Sequence, residues 1–307
     1  MQFLGKIISP ILLEDFFKNN WNKSFLKVEG DKNKFTDILD LRTFRTLIED
    51  NAHLLSFPQV TLFKNESMLN ENMYTKKWKQ RISGTLGFKE KISIDISKIN
   101  SLLNNGVTIK ISQFEIICTN LKKYLNNFSD EVNSEMIYIN AFYSTASTKA
   151  FSPHFDEHDV FILQVYGEKM WEVFDSFQDN PLQEYRGALT DAFKQTQKTE
   201  FKLRQGDFLF VPRGMWHNVY STNEPSLHLT IGIRTKTPID LVYWIQERLL
   251  SKSDFRKSLL STHKIDDDTK SLIINSIKNI LEDDKIMESF FDTTKANLST
   301  NPKLNIN

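Results

Sequence analysis

This 307-residue chain has only one cysteine, no excess of either charge and no long apolar run. The single cysteine, Cys118, excludes an intrachain disulfide and any zinc site that is built from several cysteines. Lysine plus arginine and aspartate plus glutamate number 39 each. Because nucleic-acid-binding domains usually carry a basic excess, we do not expect a nucleic-acid partner.

No apolar stretch approaches the roughly 20 residues that a membrane-spanning helix needs. The N-terminal stretch reaches Asp15 too early for such a helix, and it has no small-residue cleavage site after a basic start. We therefore expect a soluble protein of the cytoplasm that has no membrane partner.

Secondary-structure signals divide the chain into three parts. Helical and strand-like segments alternate up to about residue 135. From there to about residue 235, short segments rich in β-branched and aromatic residues are separated by turn signals such as Gly167-Glu168 and Asn223-Glu224-Pro225. This pattern predicts an antiparallel sandwich or barrel, and a jelly roll fits the number of strands. The remainder is helical, so we predict a mainly β domain with flanking helices over residues 1–235 and a helical region over 236–307.

Two histidines and one aspartate stand out in the strand-rich part. His154 and Asp156 are two positions apart, so in an extended strand they face the same side. His217 follows a strand and a Pro-Arg-Gly turn in "FLFVPRGMWHNVYS". Two histidines and one carboxylate on one face of a metal are typical of non-haem Fe(II) oxygenases. A His-x-Asp pair also arises often by chance, so this pattern alone leaves a structural role open.

Lys169 adds a second indication. It follows Gly167 at a hairpin-like position and continues into a predicted strand. A cation inside a sheet needs a partner, because an unpaired buried ammonium group is very costly. A bound dicarboxylate would supply that partner if one end chelated the metal and the other end met Lys169.

Two blocks of sequence carry a family resemblance. "PHFDEHDVFILQVYGEKMWEVF" and "GDFLFVPRGMWHNVYSTNEPSLHLTIGI" resemble the JmjC-type cupin family that includes the ribosomal oxygenases. The family implies a double-stranded β-helix core, which is a form of jelly roll, and an Fe(II)- and 2-oxoglutarate-dependent hydroxylase activity. The resemblance places the iron ligands on His154, Asp156 and His217, and the cation for the distal carboxylate of 2-oxoglutarate on Lys169.

The resemblance also implies lesser site residues and a partner. It places polar groups for the co-substrate on Asn140 and Thr230, while His158 and His228 fit either a supporting or a structural role. Larger ribosomal oxygenases continue into a helical dimerisation segment and a winged-helix domain. The roughly 70 residues after Thr237 accommodate only the helical segment, so the helices over 236–307 are a candidate dimerisation element for a homodimer.

The expected reaction is hydroxylation of an amino-acid side chain in a protein or peptide, with release of succinate and carbon dioxide. Three alternatives stay open at this point. The substrate could be a free amino acid or a peptide natural product. The fold could be a metal-binding cupin without 2-oxoglutarate turnover. The chain could also be an interaction module that acts through its C-terminal helices.

Overall fold

The computed structural model of the protein describes residues 3–84, 86–132, 134–181, 191–259 and 264–299. The chain forms two compact units, Met1–Asn127 with Ile137–Ile233 and Phe128–Met136 with Arg234–Asn307. None of the described helices is long and apolar enough to cross a membrane. The domain boundary after residue 235 stays a prediction.

Helices flank a strand-rich middle, as the sequence predicts. The α-helices within the described residues are α1 (Phe3–Ile8), α2 (Leu13–Asn19), α3 (Leu41–Asn51), α4 (Ile96–Leu103), α5 (Thr119–Val132), α6 (Pro238–Leu250), α7 (Asp267–Glu282) and α8 (Asp284–Ser299). The strands there are β1 (Leu26–Val28), β2 (Val60–Lys64), β3 (Ser67–Met68), β4 (Thr75–Arg81), β5 (Phe88–Ile94), β6 (Thr108–Ile111), β7 (Ser134–Ser144), β8 (Asp159–Phe177), β9 (Lys198–Arg204), β10 (Phe208–Val211) and β11 (Met215–Thr235).

The main sheet contains nine of these strands. Its hydrogen-bonded order is β1-β10-β8-β11-β7-β6-β2-β3, and β9 pairs with β8 beyond this path. The long strands β8 and β11 pair antiparallel over most of their lengths, from Met215 opposite Phe177 to Ile233 opposite Asp159. Apolar side chains from β8 to β11 form a buried cluster that includes Val160, Ile162, Trp171, Val173, Leu203, Leu209, Val211 and Met215. Strands β4 and β5 form a separate two-stranded sheet.

Two of the predicted turns are wrong. Gly167-Glu168 lies inside the single strand β8, and Asn223-Glu224-Pro225 lies inside the single strand β11. The β8–β11 register shifts between Ser221 and Ser226, opposite Lys169 and Gly167, so both turn signals mark one irregularity in a continuous ladder. A β-bulge uses the same glycine with positive φ that a tight turn uses, and the sequence signature is therefore shared.

Gly167 is the residue that this irregularity requires. Its φ is +63°, and a Cβ there would lie 1.9 Å from the Pro225 carbonyl oxygen. We expect Gly167→Ala to lower the free energy of unfolding by about 2–4 kcal/mol, because it adds a steric clash to an unfavourable backbone conformation. Urea denaturation measures this loss. Gly5→Ala is the control, since a Cβ on Gly5 meets nothing within 4 Å, and an equal effect of the two changes would contradict the assignment.

The helices after residue 235 have their own apolar core. Thr237 caps α6 in a capping box with Asp240, and Pro238 occupies the first turn. Leu241, Trp244, Ile245 and Leu249 of α6 pack in one cluster with Ile280 of α7 and the half-buried residues Phe255, Ile277 and Ile286.

Candidate metal centre

His154, Asp156 and His217 come together as the sequence predicts. One ligand atom from each lies within 4.8 Å of the other two. The two imidazole rings are 4.4 Å apart between centroids, and His217 Nε2 lies 3.7 Å from Asp156 Oδ2. His217 is buried, whereas His154 and Asp156 are half-buried, so the group is open on one side. Such a set can hold a transition metal and leave positions free for other ligands.

Backbone hydrogen bonds fix both histidines. His154 and His217 form an isolated antiparallel bridge, with N···O distances of 3.0 and 2.8 Å. His154 Nδ1 lies 2.9 Å from the Ser152 carbonyl oxygen, and His217 Nδ1 lies 3.0 Å from the Met215 carbonyl oxygen. A Nδ1–H that donates to each carbonyl leaves Nε2 as the metal-binding nitrogen, which is the usual arrangement of histidine ligands.

The expectation that His154 and Asp156 lie on an extended strand is wrong. Residues 155–158 form a loop before β8, and His154 belongs only to the isolated bridge. The two side chains still converge because the bridge holds His154 against His217. The spacing therefore selected two side chains that do converge, although its structural premise was wrong.

Burial keeps His217 neutral. Desolvation, followed by the neighbouring His154, lowers the pKa of His217 to about 4. The Trp171 ring stacks beside it at 5.7 Å between centroids. A neutral imidazole is the form that binds a metal, so His217 needs to lose no proton at neutral pH.

A cavity of about 480 Å³ opens onto the three side chains. Alternate residues of β7 contribute Tyr138, Asn140 and Phe142 to its wall, and β11 contributes His228 and Thr230. The structure therefore places the predicted residues Asn140 and Thr230 in the same cavity as the candidate ligands. Their roles toward a co-substrate stay predictions.

Lys169 also lines this cavity, and only 4% of it is exposed. Its ammonium group donates a hydrogen bond to Ser144 Oγ at 2.5 Å. No carboxylate pairs with it anywhere in the part of the chain that the structure describes. Burial accordingly lowers the pKa of Lys169 to about 7. Such an uncompensated cation is costly unless an anion binds beside it.

A cluster of buried hydroxyl groups extends from Ser144, which contacts the lysine, and no sequence pattern indicated it. Thr108 Oγ1 lies 2.8 Å from Ser144 Oγ, and Thr148 Oγ1 lies 3.0 Å from Ser221 Oγ and 3.4 Å from Thr108 Oγ1. These residues come from β6, β7, β11 and a loop, so only the fold brings them together. Threonine and serine are too common in strands for a pattern to have identified them.

His158 and His228 both line the cavity. His158 Nε2 lies 2.8 Å from the Tyr138 hydroxyl. His228 is buried and stacks on Phe142 at 5.0 Å, and its Nδ1 has no hydrogen-bond partner among the described residues. Burial and then the charge of Lys169 hold the pKa of His228 well below its ordinary value. His228 is thus a neutral group beside the lysine, whereas His158 belongs to a polar pair with Tyr138.

Several known proteins are similar to this chain in sequence. Residues 118–241 match the family model described as JmjC domain. A Brugia malayi protein named bifunctional lysine-specific demethylase and histidyl-hydroxylase NO66 is 26% identical over 77% of this chain, and its Dictyostelium discoideum namesake is 26% identical over 75%. The chain spans only 32% and 42% of the lengths of these two relatives. The uncharacterized protein YxbC of Bacillus subtilis is 20% identical over 91% of this chain and 85% of its own length.

Solved structures agree with the fold. The X-ray structure of Escherichia coli ycfD matches with a TM-score of 0.61 over 93% of this chain and 72% of that chain, at 14% identity. A structure of the same protein, described as a ribosomal oxygenase in complex with cobalt and 2-oxoglutarate, matches with a TM-score of 0.58 over 94% and 71%, again at 14% identity. At this identity the likeness establishes a common fold. The predicted mainly β architecture with a double-stranded β-helix core is confirmed, and residues 118–241 are similar to a JmjC domain.

Proposed function

We propose that this protein is an Fe(II)- and 2-oxoglutarate-dependent oxygenase that hydroxylates an amino-acid side chain in a protein or peptide. The observation that carries the proposal is Lys169, a buried cation without a carboxylate partner among the described residues, in the same cavity as His154, Asp156 and His217. A dicarboxylate would satisfy both features of the cavity, with one carboxylate at the metal and the other carboxylate beside Lys169.

The donor set fits iron. Two neutral imidazoles and one carboxylate are ligands that Fe(II) accepts, and a three-residue set leaves open positions. Each histidine ring is oriented by its own hydrogen bond to a backbone carbonyl, which directs Nε2 toward the other two ligands. His154, Asp156 and His217 would hold the metal.

Lys169 would bind the distal carboxylate of 2-oxoglutarate through a charge-assisted hydrogen bond. Ser144, which already accepts from Lys169, and Thr108 beside it offer hydroxyl groups at the same end of the cavity. Asn140 and Thr230 present an amide and a hydroxyl to the same cavity. These polar groups would fix the orientation of the co-substrate.

When bound, iron and 2-oxoglutarate supply the oxidising power to insert one oxygen atom of dioxygen into a C–H bond, with release of succinate and carbon dioxide. The side chains of this protein bind and orient the reactants and limit the access of water. No protein group needs to act as a general base in this chemistry, and we assign none.

Relatives support a protein substrate. NO66 is named as a lysine-specific demethylase and histidyl-hydroxylase, and ycfD is described as a ribosomal oxygenase. We propose by analogy that a side chain of a protein is the substrate here, with a free amino acid or a peptide natural product as the alternative. A homodimer through α6 to α8 and a location in the cytoplasm stay predictions.

Anaerobic titration with Fe(II) and 2-oxoglutarate tests the co-substrate site without knowledge of the substrate. We expect a visible charge-transfer band from the chelate that saturates at one equivalent of each. Bound iron without a band would contradict the proposal and favour a cupin of another activity. If the band forms, succinate release on addition of total ribosomal protein, compared with a mixture of free amino acids, distinguishes the two substrate classes.

A further inference from the structure

The two-stranded sheet of β4 and β5 concentrates positive charge. Its fourteen strand residues include six basic side chains and one acidic side chain, Glu90, which gives a net charge of +5. The whole chain is neutral, so the rest of it carries a net charge of −5. The equal numbers of basic and acidic residues in the whole chain argued against a nucleic-acid partner, but they conceal a strongly basic ribbon.

The single acidic residue of the ribbon lies on one face only, and each face carries three basic residues. Strand β4 pairs antiparallel with β5 in an unbroken register from Thr75 opposite Ile94 to Arg81 opposite Phe88. Because alternate residues share a face, one face of the ribbon has no acidic residue and consists of Lys76, Trp78, Gln80, Lys89, Lys91 and Ser93. We call it the lysine face. Its three lysines and Gln80 are exposed, and Trp78 is half-buried.

The lysine face lacks internal compensation. On the opposite face Lys77 forms an ion pair with Glu90 at 3.0 Å. Within the described residues, the lysines of the lysine face pair with no carboxylate. Each of them lies across the ladder from an uncharged residue, namely Ser93, Trp78 or Gln80. This stagger avoids direct cross-strand repulsion and keeps the whole face positive.

We propose that the lysine face binds single-stranded RNA, with its lysines on phosphates and Trp78 against a base. Proteins that bind single strands combine a basic surface with aromatic side chains on which bases stack. Unpaired bases are the form in which RNA is usually recognised. The side-chain amide of Gln80 adds a donor and an acceptor for a base edge.

The alternatives fit this face less well. An anionic membrane would favour apolar residues beside the lysines, but the exposed residues Phe88 and Ile92 lie on the opposite face. An acidic peptide would match the charge but would make no use of a central tryptophan flanked by lysines. The proposal goes beyond the oxygenase function and does not depend on it.

Fluorescence anisotropy with a labelled single-stranded RNA of about 16 nucleotides tests the proposal. We expect binding that weakens as salt rises. The variant Lys76→Gln, Lys89→Gln, Lys91→Gln should bind at least tenfold more weakly, and its slope of log affinity against log salt should be flatter by about 2, because it loses three phosphate contacts. The matched control is Lys18→Gln, Lys122→Gln, Lys123→Gln, which removes three exposed lysines from helices and should bind as the wild type does.

Five outcomes would overturn the proposal. Four of them are an absence of binding at about 100 μM protein, equal weakening in the control variant, tighter binding to phosphatidylserine vesicles than to RNA, and equal binding to poly-glutamate. A single-stranded DNA of the same sequence that binds equally would show that the face reads the phosphate backbone without selecting RNA, and would overturn the assignment to RNA. Circular dichroism and the Fe(II)–2-oxoglutarate band of both variants check folding, so a failure of RNA binding is distinct from a failure of the oxygenase site.

Discussion

Lys169→Met is expected to weaken 2-oxoglutarate binding by at least about 100-fold, because it removes a buried charge-assisted contact worth about 3–5 kcal/mol. The same change should raise the free energy of unfolding of the ligand-free protein at pH 7 by on the order of 3 kcal/mol. Methionine has a similar volume and needs no anion, whereas the wild-type lysine is buried without one among the described residues. Isothermal titration and urea denaturation measure the two effects.

The pH dependence of stability separates this account from a general packing effect. The pKa of Lys169 falls from an ordinary 10.5 to about 7 in the folded protein. Between these values the unfolded chain binds the extra proton, so the free energy of unfolding rises with pH across this window. In Lys169→Met that rise should be smaller. The affinity for 2-oxoglutarate should fall above pH 7 in the wild type, because the free lysine then loses its proton.

Lys202→Met is the matched control. Lys202 lies on β9 and forms an ion pair with Glu168 at the surface. Loss of such a pair costs about 0–1 kcal/mol, and 2-oxoglutarate binding should not change. If Lys169→Met bound 2-oxoglutarate as tightly as the wild type, another group would have to hold the distal carboxylate.

His154→Ala and Asp156→Ala are each expected to weaken Fe(II) or Co(II) binding by more than about 100-fold. Substitution of a group that only orients a metal ligand already lowers the metal affinity by about 10–100-fold, and these variants remove a ligand outright. Both side chains are half-buried at the mouth of the site, so the free energy of unfolding should change by less than about 1 kcal/mol. Absorption titration with Co(II) measures the affinity.

His53→Ala provides the control for these variants, since His53 is exposed and lies outside the cavity. It should bind metal as the wild type does. If His154→Ala unfolded the protein, the histidine would have a structural role, and if the folded variant bound Co(II) as tightly as the wild type, the metal site would be wrong.

The sequence predicted which residues meet at the site better than it predicted the path of the chain between them. Residue types, their spacing and the family resemblance together selected His154, Asp156, His217 and Lys169, and the structure places these four side chains in one cavity. The path of the chain was harder to predict. A glycine with positive φ serves a turn or a bulge equally well, so Gly167 gave the wrong connection.

Contacts between distant segments explain what the sequence did not predict. Thr108 belongs to β6, far from the motifs, and only the β6–β7 register places it opposite Ser144. The lysine face was hidden for a different reason, since the net charge of the whole chain adds the +5 of the ribbon to the −5 of the rest of the chain. Both features depend on which residues become neighbours, and a single sequence does not contain that information directly.

The bridge between His154 and His217 has a consequence for the exchange of metal. Two backbone hydrogen bonds join these positions, which are far apart in the chain, and neither bond uses a metal-binding atom. The entropy of bringing the ligands together is therefore spent during folding and not at the moment of binding. After a chelator removes the metal, the chain should stay folded with the two histidines side by side. Metal binding should then be reversible, and the site should exchange one divalent ion for another according to which ions are available.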